Sequence, residues 1–342
     1  MRGMRGHGAA ILFVLAAIGL LGFIAAYSDH ETTNIAAAKY YAKLVCEPCY
    51  NAVREVYFAV LVQNELLSWP FYALTWIILT LEWTQPVYAT SRAFSVSLFH
   101  DFLWFLLNAL FLGLLMPIYE RFLVGFYGSY LGFLRADMIH GWPLAGQILL
   151  AVLVADLISW LHHLLRHKVR LFWYFHMVHH SQRDLNLFTD LRVHPVERLI
   201  EAGVKFIPFL SLGTDIALES FVGWYMFESW YARFYHSNIK TNLGILRYIM
   251  VTPQSHRIHH SREKQHQDKN FGAIFSIWDH LLGTQYRNYD EYPETGIDDA
   301  TFPNEYEWSW SRSIGMLFLQ LVYPFKLAFR SAAGMGAQKR TT

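Results

Sequence analysis

Long apolar runs are the feature that most restricts how this chain can fold. They lie at residues 9–26, 66–81, 102–123, 143–160 and 199–235 of a 342-residue sequence. Hydrophobic residues make up 54% of the chain and charged residues only 16%, which argues against an ordinary soluble protein. Runs of this length are typical of helices that cross a bilayer. We therefore predict an all-α fold, a polytopic membrane helix bundle with a cytoplasmic cap.

Three of the apolar runs need separate interpretation. The first follows Arg2 and Arg5 and ends in small residues, so it is either a cleaved signal peptide or an uncleaved signal anchor, and we favour the anchor. The run 199–235 is broken at 213–215 and predicts a helical hairpin that enters the membrane and returns. A shorter apolar segment, 313–329, contains Pro324 and predicts an amphipathic helix at the membrane interface.

The distribution of basic residues predicts the orientation of the bundle. Four crossings from a cytoplasmic N-terminus end in the cytoplasm just after residue 160. Basic residues cluster there, at Arg166, Lys168, Arg170, Arg183, Arg192 and Arg198. The preceding loop, 124–142, contains only Arg135. Positive-inside bias and helix counting therefore agree, and we expect a cytoplasmic site in a bacterial inner membrane or the endoplasmic reticulum.

Charge and cysteine content exclude some classes of function. The net charge of +1 provides no basic excess for nucleic-acid binding. Cys46 and Cys49 are the only cysteines, so no disulfide framework holds the fold; their CEPC motif is either a redox pair or half of a metal site. We divide the chain into N-terminal spans and loops (1–140), a histidine-rich domain (141–290), and a C-terminal cap with the interfacial helix (291–342).

The spacing of histidines points to metal chemistry. His163 and His167 are separated by four residues, so they share one face of a helix. Two further sets repeat an i, i+3, i+4 pattern. They are His176, His179 and His180, and His256, His259 and His260. Neutral imidazole suits iron, zinc, copper and nickel. Eight such ligands exceed what one tetrahedral zinc takes, and they suit two metal ions held between packed segments.

Other histidines have no such pattern. A lone histidine in an apolar helix is ordinarily a packed or hydrogen-bonded residue. We apply that interpretation to His7, His30, His100, His140, His162, His266 and His280.

Flanking residues make the histidine pattern specific to one family. The chain contains HHSQRDLN at 179–186, RVHPVE at 192–197, HSN at 236–238, TPQSHRIHHS at 252–261 and KNFGAIFSIWDHLLGT at 269–284. With HxxxH at 163–167, this order resembles the fatty acid hydroxylase superfamily, which includes sterol desaturases and alkylglycerol monooxygenase. The resemblance covers about residues 156–284.

The resemblance implies a non-haem di-iron site. Its expected ligands are His163, His167, His176, His179, His180, His194, His236, His256, His259 and His260. His236 matches a family histidine in HSN, and His194 matches one found in the sterol-oxidising branches. One departure is Ala232, where some fatty acid 2-hydroxylases have another histidine. Either His194 fills that gap or one iron has an open position.

The implied activity is oxidation of a lipid by O₂. We expect hydroxylation of an unactivated C–H bond of a sterol or a fatty acyl or alkyl lipid that arrives from the bilayer. Electrons would come from a separate ferredoxin or cytochrome b5 type of donor with its reductase. Desaturation, or cleavage of an O-alkyl ether lipid, is an alternative within the family. A metal transporter is the non-enzyme alternative, but the histidines lie at span ends rather than within spans.

Two carboxylates are candidates for positioning the ligands. Asp156 lies seven residues before His163 on the same helical face, and Asp279 lies in the polar and aromatic stretch 237–312, which we expect on the cytoplasmic side. Each is expected either to accept a hydrogen bond from a ligand imidazole or to be an N-cap or an ordinary surface partner.

Overall fold

A computed structural model describes residues 69–88, 95–135, 141–211, 218–305 and 312–334. The predicted signal anchor at 9–26 and the CEPC motif lie outside the described residues. In the described segments the chain forms helices and isolated bridges, without strands. The helices are α1 (Trp69–Thr84), α2 (Val96–Phe126), α3 (Leu144–Lys168), α4 (Arg170–His180), α5 (Pro195–Ser211), α6 (Leu218–His236), α7 (Pro253–His259), α8 (Ile277–Leu282) and α9 (Ser313–Ala332). The all-α prediction is confirmed for these residues.

One helix of the described segments, Ala145–Lys168 within α3, is long and apolar enough to cross a membrane. The predicted spans at 66–81 and 102–123 do form helices, α1 and α2, but their apolar stretches Ala73–Thr84 and Val96–Asn108 are shorter. The predicted hairpin at 199–235 forms two helices, α5 and α6, on either side of residues 212–217. Multiple crossings therefore stay a prediction.

The helices pack around α3 and α4. α3 lies against α4 and α5, α2 lies against α5 and α9, and α6 lies against α7. An apolar core joins α4 to α2, α9 and the segment before α9. Its buried members are Trp104, Trp173, Tyr174, Met177, Val178, Phe302, Tyr323 and Leu327.

A buried ion network crosses the same region. The guanidinium of Arg192 is fully buried and pairs with Asp101 of α2 at 3.0 Å and Glu305 at 2.8 Å. It also donates to Gln320 of α9 at 3.3 Å. Because an uncompensated buried charge is costly, this arrangement fixes how α2 and α9 sit against the segment after α4.

The C-terminal helix α9 has two distinct faces. Its inner face buries Gln320, Tyr323 and Leu327, whereas Ile314 and Phe318 are 73% and 65% exposed. The predicted helix at 313–329 is confirmed, and its place at the membrane interface stays a prediction.

Candidate metal centre

Nine of the ten predicted ligand histidines converge into two adjacent groups. Group A contains His163, His167, His176, His180 and His259, and group B contains His179, His236, His256 and His260. Within each group one nitrogen per ring lies within 4.8 Å of every other, and all nine rings are buried. The groups adjoin where the rings of His180 and His260 stack 4.3 Å apart. The structure thus brings together residues up to 97 positions apart.

A break between α3 and α4 places five of these rings. Val169 is extended (φ −92°, ψ 114°), so it ends α3 and lets α4 start in a new direction. α3 presents His163 and His167 one turn apart, and α4 contributes three more rings from its last five residues. The two helices therefore face each other with their histidines between them.

A capped short helix places three more rings. α7 begins with a capping box, in which the Thr252 side chain accepts from the Ser255 N–H and the Ser255 hydroxyl accepts from the Thr252 N–H. Pro253 occupies its first turn, where the missing N–H costs nothing. Without such caps a helix of seven residues would be marginal. The caps hold the helix that carries the last histidine triplet.

The nitrogens of group B are spaced as ligands of a common ion. His236 Nε2 lies 3.1 Å from His179 Nε2 and 2.8 Å from His256 Nε2. His260 Nε2 lies 3.0 Å from His256 Nε2. Two ligands at right angles on an ion with metal–nitrogen bonds of about 2.1 Å lie about 3.0 Å apart. The group therefore fits a cation.

Group A contains orphaned nitrogens that a cation would satisfy. The Nε2 atoms of His163, His167 and His259 are buried and have no hydrogen-bond partner. Buried polar atoms are nearly always paired, so three in one place call for a ligand. A metal ion would accept all three lone pairs.

Backbone carbonyls orient two of these rings. His163 Nδ1 donates to the Phe271 carbonyl at 3.0 Å, and His259 Nδ1 donates to the Lys269 carbonyl at 2.8 Å. A proton on Nδ1 leaves the Nε2 lone pair free for a metal. The segment 269–271 is therefore part of the site although it contributes no ligand.

Glu197 is a functional residue that sequence reasoning did not identify. Its Oε1 accepts from His176 Nδ1 at 2.8 Å and from Arg166 at 2.6 Å. The carboxylate thus fixes the tautomer of a group A ring and brings a negative charge into contact with that group. The RVHPVE motif contains Glu197 and was a signal for it.

Ala232 has a related role through its backbone. His236 Nδ1 donates to the Ala232 carbonyl at 2.8 Å. The position where some relatives have an additional histidine therefore still orients a ring of group B, and it leaves that group with four nitrogens.

Burial keeps the imidazoles neutral. It lowers the pKa of His259 to about 4. Burial also lowers the pKa well below its usual value for His176, His179, His180, His256 and His260, and the crowding of several histidines that cannot all be protonated together acts in the same direction. Neutral rings keep the lone pairs that metal binding requires.

Aromatic rings close the sides of the site. Phe271 packs edge-on against His163, His167 and His259 at 5.2 to 5.7 Å. Trp173 lies 5.1 Å from His167 across the other side. These two rings therefore restrict water at the rim of group A.

The two predicted carboxylates act differently from expectation. Asp156 accepts from the N–H groups of Ile274 and Phe275 and from the Trp278 indole, at 2.8 to 3.2 Å. It does not contact an imidazole among the described residues, because its helical face meets the 274–278 segment. It anchors that segment to α3 instead.

Asp279 reaches the site through one intermediary. It accepts from the N–H groups of Phe271 and Gly272, both at 2.8 Å, and from Trp160 Nε1 at 2.9 Å. Burial raises the pKa of Asp279, which those hydrogen bonds partly offset. Because the Phe271 carbonyl orients His163, Asp279 positions the acceptor of a ring rather than the ring itself.

His194 lies outside both groups. Its Nε2 donates to the Leu321 carbonyl at 3.1 Å, and its Nδ1 accepts from the Val196 N–H at 3.2 Å. With both nitrogens engaged, the ring links the start of α5 to α9, and the structure does not bring this predicted ligand to the others.

Part of this chain is similar to known proteins. The fatty acid hydroxylase family matches residues 148–284. The ornithine lipid hydroxylase OlsE of Rhizobium tropici is 32% identical over 42% of this chain and 43% of its own length. Human alkylglycerol monooxygenase is 33% identical over 36% of this chain and 26% of its own. The chain thus matches less than half of the length of these relatives.

A more distant relative extends the range of named activities. The very-long-chain aldehyde decarbonylase GL1-1 of Oryza sativa subsp. indica is 27% identical over 46% of this chain and 27% of its own length. No solved structure gives a significant match. The resemblance inferred from the motifs is confirmed, and the hydroxylase and the monooxygenase among these relatives are oxidoreductases by name. Residues 148–284 therefore match the fatty acid hydroxylase family, and part of the chain is similar to a lipid hydroxylase and to alkylglycerol monooxygenases.

Proposed function

We propose that this protein is a membrane-bound, O₂-dependent oxidoreductase that uses two iron ions to hydroxylate a C–H bond of a lipid. The observation that carries the proposal is the convergence of nine buried histidines into two adjoining groups. Group A would hold one ion and group B the other. Five and four nitrogens leave positions open on ions that take six ligands, as oxygen chemistry requires.

The protein's own residues bind, orient and shield. When bound, the irons would supply the O₂ activation that no amino-acid side chain provides. Glu197 and the carbonyls of Lys269 and Phe271 hold protons at Nδ1, so that Nε2 faces the ion. Phe271 and Trp173 limit water, which protects a strongly oxidising site from side reactions.

The proposal also covers the substrate class and the electron source. Relatives are named for an ornithine lipid and for alkylglycerols, and α3 contains a segment apolar enough to lie in a membrane. A lipid is therefore the proposed substrate. The proposed electron donor is a separate ferredoxin or cytochrome b5 type of protein. Desaturation and ether cleavage are the alternatives within the family.

The first test is the iron content of detergent-purified protein after iron reconstitution. Wild type is expected to hold two irons per chain. His256→Ala should lose the group B ion, because His256 Nε2 lies within 3.0 Å of two other Nε2 atoms. His194→Gln is the matched control and should keep both, because His194 lies outside the groups. Absence of bound metal in wild type would refute the proposal.

The second test identifies the reaction. Cells or reconstituted enzyme supplied with ¹⁸O₂ should give lipids that carry one labelled oxygen, with ornithine lipids and alkylglycerols screened first. Loss of two hydrogens without label would indicate desaturation, and an aldehyde product would indicate ether cleavage. If the protein transports metal ions and consumes no oxygen, the metal-transporter alternative would replace the proposed oxidoreductase.

A further inference from the structure

A third set of potential metal ligands lies apart from the two histidine groups. Glu263, His266 and Glu291 each place one ligand atom within 4.8 Å of the other two. The first two residues follow the last histidine triplet, and Glu291 belongs to a segment that returns beside it. His266 is one of the histidines that the sequence pattern left as an ordinary packed residue.

His266 is held as a ligand would be. Its side chain is fully buried, and its Nδ1 lies 2.8 Å from the Ser261 hydroxyl. The Tyr286 ring packs edge-on against it at 4.7 Å. Its Nε2 faces Glu291 Oε1 at 3.1 Å but lacks a hydrogen bond of acceptable geometry. Although the Glu291 carboxylate is within ion-pair distance, this buried nitrogen has no hydrogen-bond partner, which is rare for a buried polar atom.

The Glu291 carboxylate is oriented from behind. Its Oε2 accepts from the Tyr286 hydroxyl at 2.9 Å and from Asn288 Nδ2 at 3.0 Å. Both donors bind the same oxygen, which turns Oε1 toward the His266 ring. This is the arrangement in which outer hydrogen bonds fix a ligating carboxylate.

Glu263 completes the set from the solvent side. It is exposed, and its backbone carbonyl accepts from the His266 N–H at 3.0 Å, so both residues belong to one turn. An exposed carboxylate moves at low cost, whereas the other two ligands are already fixed. His266 and Glu291 are thus held in place before an ion binds, whereas Glu263 can adjust to it.

We propose that Glu263, His266 and Glu291 form a third metal site that binds one Zn²⁺ ion or an ion of similar preference. One imidazole nitrogen and two carboxylate oxygens are donors that zinc accepts, with water in the fourth position. Calcium and magnesium favour oxygen ligands alone, so the histidine argues against them. The site does not depend on the proposed reaction at the histidine groups.

The ion braces the helix that carries the last histidine triplet. Gln254 in the first turn of α7 donates from Nε2 to the carbonyls of Asn288 and Glu291, both at 3.0 Å. A cation between Glu291 and His266 therefore ties the segment that flanks the start of α7 to the turn that follows its end. The site is structural and lies outside the oxidation chemistry.

Zinc stoichiometry tests the site. Full-length protein stripped of metal is dialysed to equilibrium against Zn²⁺ and counted by mass spectrometry. Wild type should bind one more zinc per chain than Glu291→Gln, and Glu263→Gln should also lose one. Glu294→Gln is the control, since it removes an exposed carboxylate of the same segment that lies outside the cluster. Equal counts in wild type and Glu291→Gln would overturn the proposal, and so would a loss of two or more ions.

Limited proteolysis provides a readout that is independent of the count. Lys264 and Arg287 are exposed trypsin sites within the two segments that the ion would join. Zinc should slow cleavage at both in wild type and in Glu294→Gln, and should leave cleavage of Glu263→Gln unchanged. Glu263 is exposed, so its substitution does not disturb packing. Equal protection of Glu263→Gln would contradict the site, whatever the activity of the enzyme.

Discussion

A histidine binds a cation well only when its second nitrogen carries the proton and donates it to a fixed acceptor. Four rings of the centre donate a hydrogen bond from Nδ1. Three of the acceptors are backbone carbonyls and the fourth is a carboxylate. The carboxylate, Glu197, differs from the others because it adds charge and can be altered by substitution. It partly compensates the positive charge that an ion in group A would bring into a buried space.

Glu197→Gln should weaken iron retention in group A by about 10- to 100-fold. The amide oxygen can still accept from His176 Nδ1, but the negative charge and the pairing with Arg166 are lost. The measurement is the rate of iron release to a chelator from reconstituted protein.

Glu201→Gln is the matched control for this prediction. Glu201 lies one turn later on α5 and pairs with Arg198 and Lys205 instead of a histidine. Equally fast iron release from both variants would show that the effect of Glu197 is general destabilisation of α5.

The spacing of the histidines predicted the candidate ligands but not the groups that orient them. A period of three and four residues identifies rings on one helical face, so eight histidines were predicted from their spacing alone, and His236 from its motif. The supports are backbone carbonyls at Lys269, Phe271 and Ala232, and a backbone group leaves no trace in the sequence. The exclusion of His194 depends on where α9 packs, and a motif does not carry that information.

At the scale of elements, the segment 269–285 is a scaffold without regular structure over its first half. Asp156 and Asp279 hold it by accepting from four of its backbone N–H groups. Gly272 lies at its tightest point. A Cβ there would meet Val251 Cγ2 at 2.7 Å and the Phe275 carbonyl at 2.8 Å.

Gly272→Ala should destabilise the protein by about 1 to 3 kcal/mol, because the added methyl group has no space. Displacement of the neighbouring Phe271 carbonyl should also loosen His163 and reduce iron content. Thermal unfolding and iron content in detergent measure the two effects.

Gly315→Ala provides the comparison for that variant. A Cβ at Gly315, in α9, meets nothing within 4 Å, so stability should hold or rise slightly. Unchanged stability in Gly272→Ala would show that the 269–275 segment adjusts freely, and its role as scaffold would fail.

The apolar runs predicted where helices form better than they predicted which helices cross a membrane. Apolar runs identify helices because both a bilayer and a protein interior bury them, and hydropathy does not separate the two. α3 shows the ambiguity within one helix: Leu149 is 60% exposed, whereas Asp156 and Trp160 are buried against the 271–279 segment. The break in the run 199–235 was visible at 213–215, where small and polar residues interrupt it.

At the scale of the whole molecule, the predicted orientation places the metal centre on the cytoplasmic side. The prediction rests on the basic residues after α3, and it can be tested with single cysteines in a Cys46→Ser, Cys49→Ser background. Arg170→Cys should react with an impermeant maleimide only in inverted vesicles or after permeabilisation. Gly128→Cys should react in intact cells.

Both positions are exposed, and a side chain at Gly128 meets nothing within 4 Å, so neither label requires unfolding. The reverse labelling pattern would show that the orientation is opposite to the predicted one. Labelling of both positions from one side would show that α3 does not cross the membrane.

The single extended residue Val169 makes chain length critical across the centre. One inserted residue in a helix rotates everything beyond it by about 100°. With no longer linker between α3 and α4 to absorb such a change, an insertion or deletion within 164–175 would turn the rings of α4 away from those of α3. The number of residues between His163 and His180 therefore sets the geometry of the centre as much as their identity does.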